Sequence, residues 1–544
     1  MPFIEIEGSS GQRYEKLEAA VEKLAVEEGE IRQALLRLEE VCYVLRDDGS
    51  RTGVCIESEI EEGSGRTSME VLGYLLPLLP HQLGDRGFMK DHGIRLPYMS
   101  GAMANGIASE ALVTAMGKAE LLGSFGAAGL VPTRIEEAIH TIQNALPEGP
   151  YAFNLIHSPA EDAIERAAAE LFIRHGVKTV EASAFLDLTP HIVQYRVSGL
   201  SLGHDDQVQI GNRVIAKISR SEVAEKFMRP APERMLKKLL EEGRITELQA
   251  GLATRVPMAD DITVEADSGG HTDNRPLVAL LPSILTLRDR IQAEENYAQP
   301  IRVGAGGGIS TPASVLAAFM MGAGYVVTGS VNQGCTEAAA SQHTKKLLAQ
   351  AEMADVSMAP AADMFEMGVQ LQVLKRGTLF PMRAQKLYEL YRNYESIEEI
   401  PLEEKQKLEK QIFRKSLDEV WAETESFFLS RDPHQIERAR NHPKRRMALI
   451  FRWYLGLSSR WSNHGESGRE TDYQIWCGPA MGAFNDWAKG TFLEAPENRT
   501  VVQIAKNFLE GAAVITRAQQ LRTYGVPVPP AAFHYNATPF AESN

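Results

Sequence analysis

Eight short apolar runs that alternate with helical patterns constrain the fold of this chain more than any other feature. The runs are residues 96–100, 120–124, 151–156, 177–182, 214–218, 262–266, 301–305 and 325–328. Helical patterns lie between most of them, at residues 109–118, 132–145, 159–175 and 312–321. Eight strands that alternate with helices predict an α/β fold, a (β/α)8 TIM barrel. A doubly wound open sheet has the same local pattern and remains the alternative.

We assign residues 71–345 to this barrel. Two connections inside it, residues 183–212 and 219–261, are longer than simple barrel connections. Each has room for an extra helix or for a flap over the barrel mouth.

The segments on either side of the barrel carry helical patterns. Apolar residues recur at steps of three and four over residues 17–42, which predicts a helical lead-in within residues 1–70, as one helix or as two. After residue 345 the strand signal stops, so residues 346–530 are predicted to be a helical domain that shapes the substrate pocket or contacts a partner. The final segment, residues 525–544, is rich in Pro and Ala, and residues 531–544 are predicted to be a flexible tail.

Composition narrows the class of partner. The 57 basic and 72 acidic side chains give a net charge of −15, which argues against a general nucleic-acid binder. No apolar run approaches the roughly 20 residues that span a bilayer, and the N-terminus does not resemble a signal peptide. None of the four cysteines lies in a Cys-x-x-Cys pair. We therefore expect a cytoplasmic protein with no membrane partner.

Two small-residue loops near the end of the barrel pattern point to a phosphate site. Gly306, Gly307 and Gly308 follow the seventh strand, and Thr328, Gly329 and Ser330 end the eighth. Glycine lets a ligand approach the backbone, and the helix from residue 312 presents free N–H groups to an anion. In a (β/α)8 barrel the loops after strands seven and eight are the usual phosphate site. The alternative is two tight turns that need glycine for conformation alone.

A histidine follows the sixth strand. The segment Asp267-Ser268-Gly269-Gly270-His271 places His271 at the mouth of the predicted barrel, where it is suited to general acid–base chemistry. A solvated or structural histidine is the alternative.

Other strand ends carry small or polar residues that suit a planar cofactor. Gly101, Ala102 and Met103 follow the first strand, Asn154 lies at the end of the third, and Lys217 at the end of the fifth. Tight turns, caps and a lysine that extends to solvent are the structural alternatives. No His-x-x-x-His pair or carboxylate cluster predicts a metal site, and no Gly-x-Ser-x-Gly motif predicts a nucleophile elbow.

Several of these motifs together resemble a known family. SGAMANGIAS, FNLIHSP, EADSGGHTDNRPL, GAGGGIST and GYVVTGSVNQ are similar to the flavin-dependent barrel enzymes that include nitronate monooxygenases and one class of bacterial enoyl reductase. FEMGVQLQVLKRGTLFPMRAQKLYELY and WCGPAMGAFNDWAKGTFLE resemble the PfaD-type trans-acting enoyl reductases of polyunsaturated fatty acid and polyketide synthases. The resemblance covers roughly residues 40–530.

The resemblance implies bound FMN, NADPH as hydride donor, and an α,β-unsaturated thioester on an acyl carrier protein as substrate. It implies a catalytic role for His271, which would bind the thioester carbonyl or protonate the α-carbon. The flavin-binding positions that it implies are Gly101, Ala102, Met103, Asn154, Lys217, Asp267, Gly269, Gly270, Gly306, Gly307, Gly308, Thr328, Gly329 and Ser330. A homodimer is expected at the level of the family.

Two basic segments in this acidic chain are candidates for carrier-protein docking by charge complementarity, the alternative being solvated helix faces. They are Lys375, Arg376, Arg383 and Lys386, and the run 444–446. Two rival functions also remain open. One is a nitronate monooxygenase, which the long C-terminal region disfavours, and the other is a non-catalytic nucleotide-binding scaffold of a synthase.

Overall fold

A closed barrel of eight parallel strands forms the centre of the computed structural model, which describes residues 3–7, 13–21, 24–61, 67–157, 162–203 and 206–541. The strands are Tyr98–Ser100, Leu122–Phe125, Ala152–Ile156, Thr179–Ser183, Arg213–Ile218, Asp261–Glu265, Arg302–Gly306 and Val326–Thr328. Each pairs with the next, and the eighth pairs with the first, Val326 opposite Tyr98. The predicted barrel is confirmed, with every strand end within two residues of its predicted position. The open-sheet alternative is wrong because the sheet closes.

The amino-terminal end of the barrel is plugged by the helix Arg86–His92. The Phe88 ring stacks on Tyr325 at a centroid distance of 3.9 Å. Asp261 accepts hydrogen bonds from His92 at 2.7 Å and Arg302 at 2.6 Å. Burial opposes the charge of Asp261, but Arg302 and His92 outweigh it and lower the pKa of this carboxyl group. Since this end is filled, a ligand site belongs at the opposite end.

Helices surround the barrel. Those between the strands are Glu110–Lys118, Pro132–Ala145, Asp162–Arg174, Pro190–Ser198, Ser221–Met228, Glu233–Glu241, Glu247–Ala253, Leu277–Glu295 and Pro312–Met320. The region 219–261 thus contains two extra helices, as one alternative predicted. The region 183–212 instead adds a hairpin, Leu200–Leu202 with Val208–Ile210, which leads directly into the fifth strand and so lies opposite the mouth. The described parts of both regions beyond the first few residues do not line the mouth, so the flap alternative is wrong.

The N-terminal region is mainly an antiparallel sheet, and the predicted helical lead-in is wrong for most of its length. Its strands are Phe3–Glu7, Arg13–Val21, Cys42–Arg46, Thr52–Ile56, Ile60–Glu61 and Thr67–Leu75, and its α-helix is Glu28–Leu36. The strands Cys42–Arg46 and Thr52–Ile56 are buried on both faces. Val44 packs in the main core, whereas Leu45 belongs to a separate cluster on the other face. A strand buried on both faces shows no alternation, so its apolar residues resemble part of a helical stripe.

Strands also occur after residue 345, contrary to prediction. Val356–Pro360 and Gln370–Leu374 form a three-stranded antiparallel sheet with Gly270–His271 from the barrel mouth. The α-helices of this region are Ser330–Gln333, Gln342–Ala349, Phe380–Asn393, Leu402–Lys407, Leu417–Arg431, Pro433–Arg440, Pro443–His464, Ala480–Ala488 and Val501–Thr523, with a π-helix at Leu408–Phe413. The 3₁₀ helices of the chain are Glu57–Glu59, Pro80–Gln82, Met353–Asp355, Phe365–Met367, Glu470–Asp472, Phe492–Glu494, Pro496–Asn498 and Pro530–Phe533. A helix long and apolar enough to cross a membrane is not found among the described residues.

The helix Val501–Thr523 completes the barrel. It packs against Pro312–Met320 and Glu110–Lys118, the helices that follow strands seven and one. The contact is close, because a Cβ atom on Gly511 would lie 2.7 Å from the ring of Pro312. This is the position of the eighth helix of a (β/α)8 barrel. The C-terminal region is therefore an insertion, residues 330–500, between the eighth strand and its helix, and the predicted barrel boundary at residue 345 is wrong.

The C-terminal segment lies along this last helix, so the prediction of a flexible tail is wrong for residues 531–541. The Asn507 side chain accepts from the Thr538 N–H at 2.7 Å and donates to the Thr538 carbonyl at 2.9 Å. Gln503 makes the same two bonds to Phe540, at 3.0 and 2.7 Å. Because two amide side chains replace a neighbouring strand, the extended segment around Pro539 is held without regular secondary structure.

Candidate active site

A cavity of about 1460 Å³ opens at the carboxyl ends of the barrel strands. It is lined by 14 of the 15 predicted site residues: Gly101, Ala102, Met103, Asn154, Lys217, Gly269, Gly270, His271, Gly306, Gly307, Gly308, Thr328, Gly329 and Ser330. Asp267 is the exception. Its carboxylate accepts from Gln372 at 2.8 Å and so ties the loop after strand six to the inserted region. The Asp267 side chain therefore does not point to the cavity, contrary to the predicted cofactor contact.

Charged residues form the floor of the cavity. Lys217 lies 3.4 Å from Glu265 and 3.8 Å from Glu181, and Glu181 also accepts from the Ala102 N–H at 2.7 Å. Burial lowers the pKa of Lys217, but the two carboxylates outweigh it and raise the pKa overall, so the ammonium stays protonated. Neither glutamate is among the site residues predicted from the sequence. The available signal was an acidic residue within an otherwise apolar strand.

The side chains of Asn154 and Thr328 already make hydrogen bonds to other groups of the protein. The Asn154 amide donates to the Glu181 carbonyl at 3.0 Å and to Ser183 Oγ at 2.7 Å, so toward a ligand it offers its carbonyl oxygen. The Thr328 hydroxyl pairs with the buried Tyr98 hydroxyl at 2.5 Å. Asn154 is therefore an acceptor in the site, and Thr328 contributes mainly through its backbone.

Glycines leave open space above the two predicted phosphate loops. A Cβ atom on Gly308 or Gly329 would meet no atom within 4 Å, so both positions border empty cavity. Gly307 and Gly308 have φ values of +80° and +73°, in the left-handed region that favours glycine. Among the described residues, the N–H groups of Gly308, Gly329 and Ser330 have no protein acceptor. These amides form a cradle for an anion.

The start of the helix Pro312–Met320 is not open in the way the sequence suggested. The Ser314 hydroxyl accepts from the N–H groups of both Ser310 and Thr311, each at 2.9 Å. A capping box between Thr311 and Ser314 occupies a further donor. The N–H groups of Ser310, Thr311 and Ser314 are therefore already engaged, unlike those of Gly308, Gly329 and Ser330.

His271 pairs with a carboxylate from the inserted region. Its Nε2 lies 3.1 Å from Asp363 Oδ1, and the strand Gly270–His271 is paired with Gln370–Leu374. Burial disfavours the imidazolium, but the Asp363 carboxylate outweighs it, so the pKa of His271 is raised. For the same reason the pKa of Asp363 is lowered. Asp363 is not among the predicted site residues, because this partner lies 92 residues further along the chain.

A second contact joins the insertion to the mouth. A Cβ atom on Gly269 would lie 2.9 Å from the Cys477 nitrogen, and one on Gly478 would lie 2.9 Å from the Gly269 nitrogen. Ser330 Oγ accepts from the Gly478 N–H at 3.2 Å. Gly269 is therefore needed where the segment 477–478 crosses the mouth, and the Ser330 hydroxyl is engaged there as well.

The inserted region supplies an apolar wall to the cavity. The lining side chains from its helices Leu417–Arg431 and Pro443–His464 include Phe427, Phe428, Leu449 and Trp453, and Trp476 lies beyond them. One continuous cavity thus joins the polar floor and the glycine cradle to a large aromatic and aliphatic surface. The cavity therefore suits an amphipathic ligand: the glycine cradle fits a phosphate, the polar floor fits a polar ring edge, and the apolar wall fits a hydrocarbon chain.

The basic segments predicted to dock a partner are largely neutralised within the chain. Ion pairs join Arg376 to Glu352, Lys386 to Glu404, Lys444 to Glu395 and Arg446 to Glu398. Arg383 pairs with the buried Asp472. These contacts disfavour docking by most of the two segments, and they engage the side chains in ion pairs rather than leaving them free on solvated helix faces.

Comparisons with known proteins agree with the barrel and its site. The sequence profile of nitronate monooxygenase matches residues 88–415, and that of the inserted helical domain of [acyl-carrier-protein] S-malonyltransferase matches residues 394–473. The chain is similar to the crystal structure of the enoyl reductase domain of MlnA, from the macrolactin biosynthesis cluster of Bacillus amyloliquefaciens. The TM-score is 0.77 at 38% identity, covering 81% of this chain and 99% of that one.

Longer relatives contain a matching region. The chain is 49% identical over 500 residues to a polyunsaturated fatty acid synthase protein of Thraustochytrium sp., covering 91% of this chain and 33% of that protein. It is 45% identical over 443 residues to the polyketide biosynthesis protein PksE of Bacillus subtilis, covering 81% of this chain and 57% of that protein. The chain thus spans only part of these relatives. It belongs to the nitronate monooxygenase family, in the branch that contains the MlnA enoyl reductase domain and regions of fatty acid and polyketide synthase proteins.

Proposed function

We propose that the chain is a trans-acting enoyl-[acyl carrier protein] reductase that uses FMN and NADPH to reduce α,β-unsaturated thioesters for a polyunsaturated fatty acid or polyketide synthase. The observation that carries the proposal is the single cavity in which a glycine cradle and polar floor continue into an apolar wall from the insertion. The relationship to the MlnA enoyl reductase domain supports the same reaction.

The residues present fit an FMN phosphate at the glycine loops. Gly308 and Gly329 border open space, and the amides of Gly308, Gly329 and Ser330 have no acceptor among the described residues, so a phosphate would satisfy them. The bound flavin would take a hydride from NADPH and deliver it to the β-carbon of the enoyl thioester. Asn154 would accept from an N–H on the polar edge of the ring, and Lys217 would hold a positive charge beneath it.

His271 and Asp363 would act on the thioester. Asp363 accepts from the Nε2–H of the imidazolium, which leaves the Nδ1–H for the substrate, and Nδ1 has no partner among the described residues. This N–H would donate to the thioester carbonyl oxygen and stabilise the charge that develops there, or give its proton to the α-carbon. The raised pKa of His271 keeps the donor protonated over a wider pH range.

The substrate carrier would be an acyl carrier protein of the partner synthase. The relatives in Thraustochytrium sp. and Bacillus subtilis are, by name, components of such synthases. The apolar wall that includes Phe427 and Trp453 would take the acyl chain, and its burial would contribute about 0.8 kcal/mol for each methylene group.

The proposal is tested with the purified full chain. We expect flavin absorbance and FMN on extraction, followed by NADPH consumption with crotonyl thioester. Oxygen uptake with an alkyl nitronate and no enoyl reduction would assign a nitronate monooxygenase instead. Protein that binds no flavin after incubation with FMN would point to a non-catalytic scaffold.

A further inference from the structure

Three metal-binding side chains meet on the outside of the barrel, away from the cavity. Glu136 and His140 lie one turn apart on the helix Pro132–Ala145, and His175 follows the neighbouring helix Asp162–Arg174. One ligand atom from each of the three lies within 4.8 Å of those from the other two. None of the three lines the cavity, so this cluster is separate from the proposed active site.

We propose that Glu136, His140 and His175 bind a divalent transition-metal ion of the zinc type. Two imidazoles and one carboxylate form a recurrent protein ligand set for Zn²⁺, with water in the fourth position. Imidazole nitrogen also favours Zn²⁺, Ni²⁺ and Cu²⁺ over Mg²⁺ and Ca²⁺, which prefer oxygen ligands. These residues form no metal-binding motif in the sequence, because the second histidine comes from beyond another helix.

The spacing of the ligand atoms is compatible with a tetrahedral site. His175 Nε2 lies 2.8 Å from Glu136 Oε1, and the two histidine rings meet edge to face with centroids 4.9 Å apart. Ligand atoms about 2.0 Å from Zn²⁺ are about 3.3 Å from each other in a tetrahedron. Glu136 Oε1 and His175 Nε2 would therefore have to move apart by roughly half an ångström to admit the ion between them.

The backbone that carries His175 is already fixed. Gln143, one turn beyond His140 on the same face, donates to the His175 carbonyl at 2.8 Å. The His175 N–H donates to the Leu171 carbonyl at 2.9 Å. Among the described residues no lysine or arginine forms an ion pair with Glu136, whose carboxylate contacts the imidazole of His175. An ion would join the helices after barrel strands two and three.

The test uses the purified full chain, freed of metal with a chelator, and Zn²⁺ alone as the probe. We expect one equivalent of Zn²⁺ to bind and to raise the melting temperature, since an ion that binds the folded state stabilises it. Co²⁺ in its place should give the visible absorption of a tetrahedral site. His140→Ala should weaken Zn²⁺ affinity by more than about tenfold, a loss that even outer-shell changes cause.

A matched control distinguishes a built site from surface binding. His434 pairs with Glu437 at 3.0 Å on an exposed helix but has no third ligand among the described residues, so His434→Ala should leave Zn²⁺ binding unchanged. Because His140 is exposed, its replacement should not prevent folding. Failure to bind Zn²⁺, or equal loss in both variants, would overturn the proposal and assign Glu136 and His175 to a hydrogen bond only.

Discussion

His271 and Asp363 face each other across the boundary between the barrel and its insertion, with His271 Nε2 3.1 Å from Asp363 Oδ1. The imidazole belongs to the loop after barrel strand six, and the carboxylate belongs to the inserted residues 330–500. A reaction that uses the imidazolium therefore depends on how the insertion is placed.

Asp363→Asn should make enoyl reduction more sensitive to alkaline pH. The carboxylate raises the pKa of His271, so its removal lets the imidazolium deprotonate at lower pH. The alkaline decline in the pH–rate profile should move to lower pH, while FMN stays bound. His271→Ala should slow the reaction by about 100-fold or more. An unchanged alkaline limb in Asp363→Asn would separate Asp363 from the reaction.

The same pair should appear in the pH dependence of stability. A histidine whose pKa is raised on folding contributes stability that is fully present below its unfolded pKa and is lost as pH rises through the folded value. The difference in free energy of unfolding between the wild type and Asp363→Asn should be largest at mildly acidic pH and shrink toward alkaline pH. Urea titrations at several pH values measure it, and a pH-independent difference would contradict this origin.

Gly329→Leu should abolish flavin binding without unfolding the protein. The new side chain would enter the open space of the cradle, where a Cβ atom meets nothing within 4 Å. We expect a colourless protein with the circular dichroism of the wild type. Gly251→Leu is the matched control, because Gly251 also has no atom within 4 Å but lies on a helix away from the cavity. A yellow Gly329→Leu protein would place the phosphate elsewhere.

Gly478→Ala should destabilise the contact between the insertion and the mouth. Its Cβ atom would lie 2.9 Å from the Gly269 nitrogen, and a backbone atom cannot move away as a side chain can. Overpacking of this kind costs about 1–3 kcal/mol. Gly251→Ala, in an open helical position, should instead stabilise by up to about 1 kcal/mol. Thermal unfolding of the two variants gives the comparison, and equal melting temperatures would mean that the mouth adjusts freely.

Asn507→Ala should release the C-terminal segment. The buried Asn507 side chain makes two hydrogen bonds to Thr538, besides one to the Gln503 carbonyl, and the loss of the two bonds to Thr538 costs about 1–3 kcal/mol. Hydrogen exchange should accelerate at the Thr538 amide, which donates to Asn507, and remain slow in the barrel strands. Exchange that stays slow at Thr538 would show that packing alone holds the segment.

The barrel and most of its mouth were predictable because their signals are local. Each strand is a short apolar run, and parallel strands bring Asn154, Lys217 and His271 to one end whatever the helices do. The N-terminal sheet was not predictable, since burial on both faces of a strand removes the alternation of apolar and polar residues that identifies it. The roles of Asp363 and Gly478 were not predictable either, because they depend on contacts between residues that are far apart in the sequence. The position of Asp267 predicts a cofactor contact, but its side chain binds Gln372.

The helix Val501–Thr523 has a consequence for how the chain reaches its native state. The eighth strand ends at Thr328, and the helix that covers it begins 173 residues later. During synthesis the barrel therefore keeps an apolar gap between its seventh and first helices until the insertion has been made. Contacts of such long sequence separation form slowly and leave intermediates prone to aggregation. A chain that stops before residue 501 should accumulate in that open state, even though all eight strands are present.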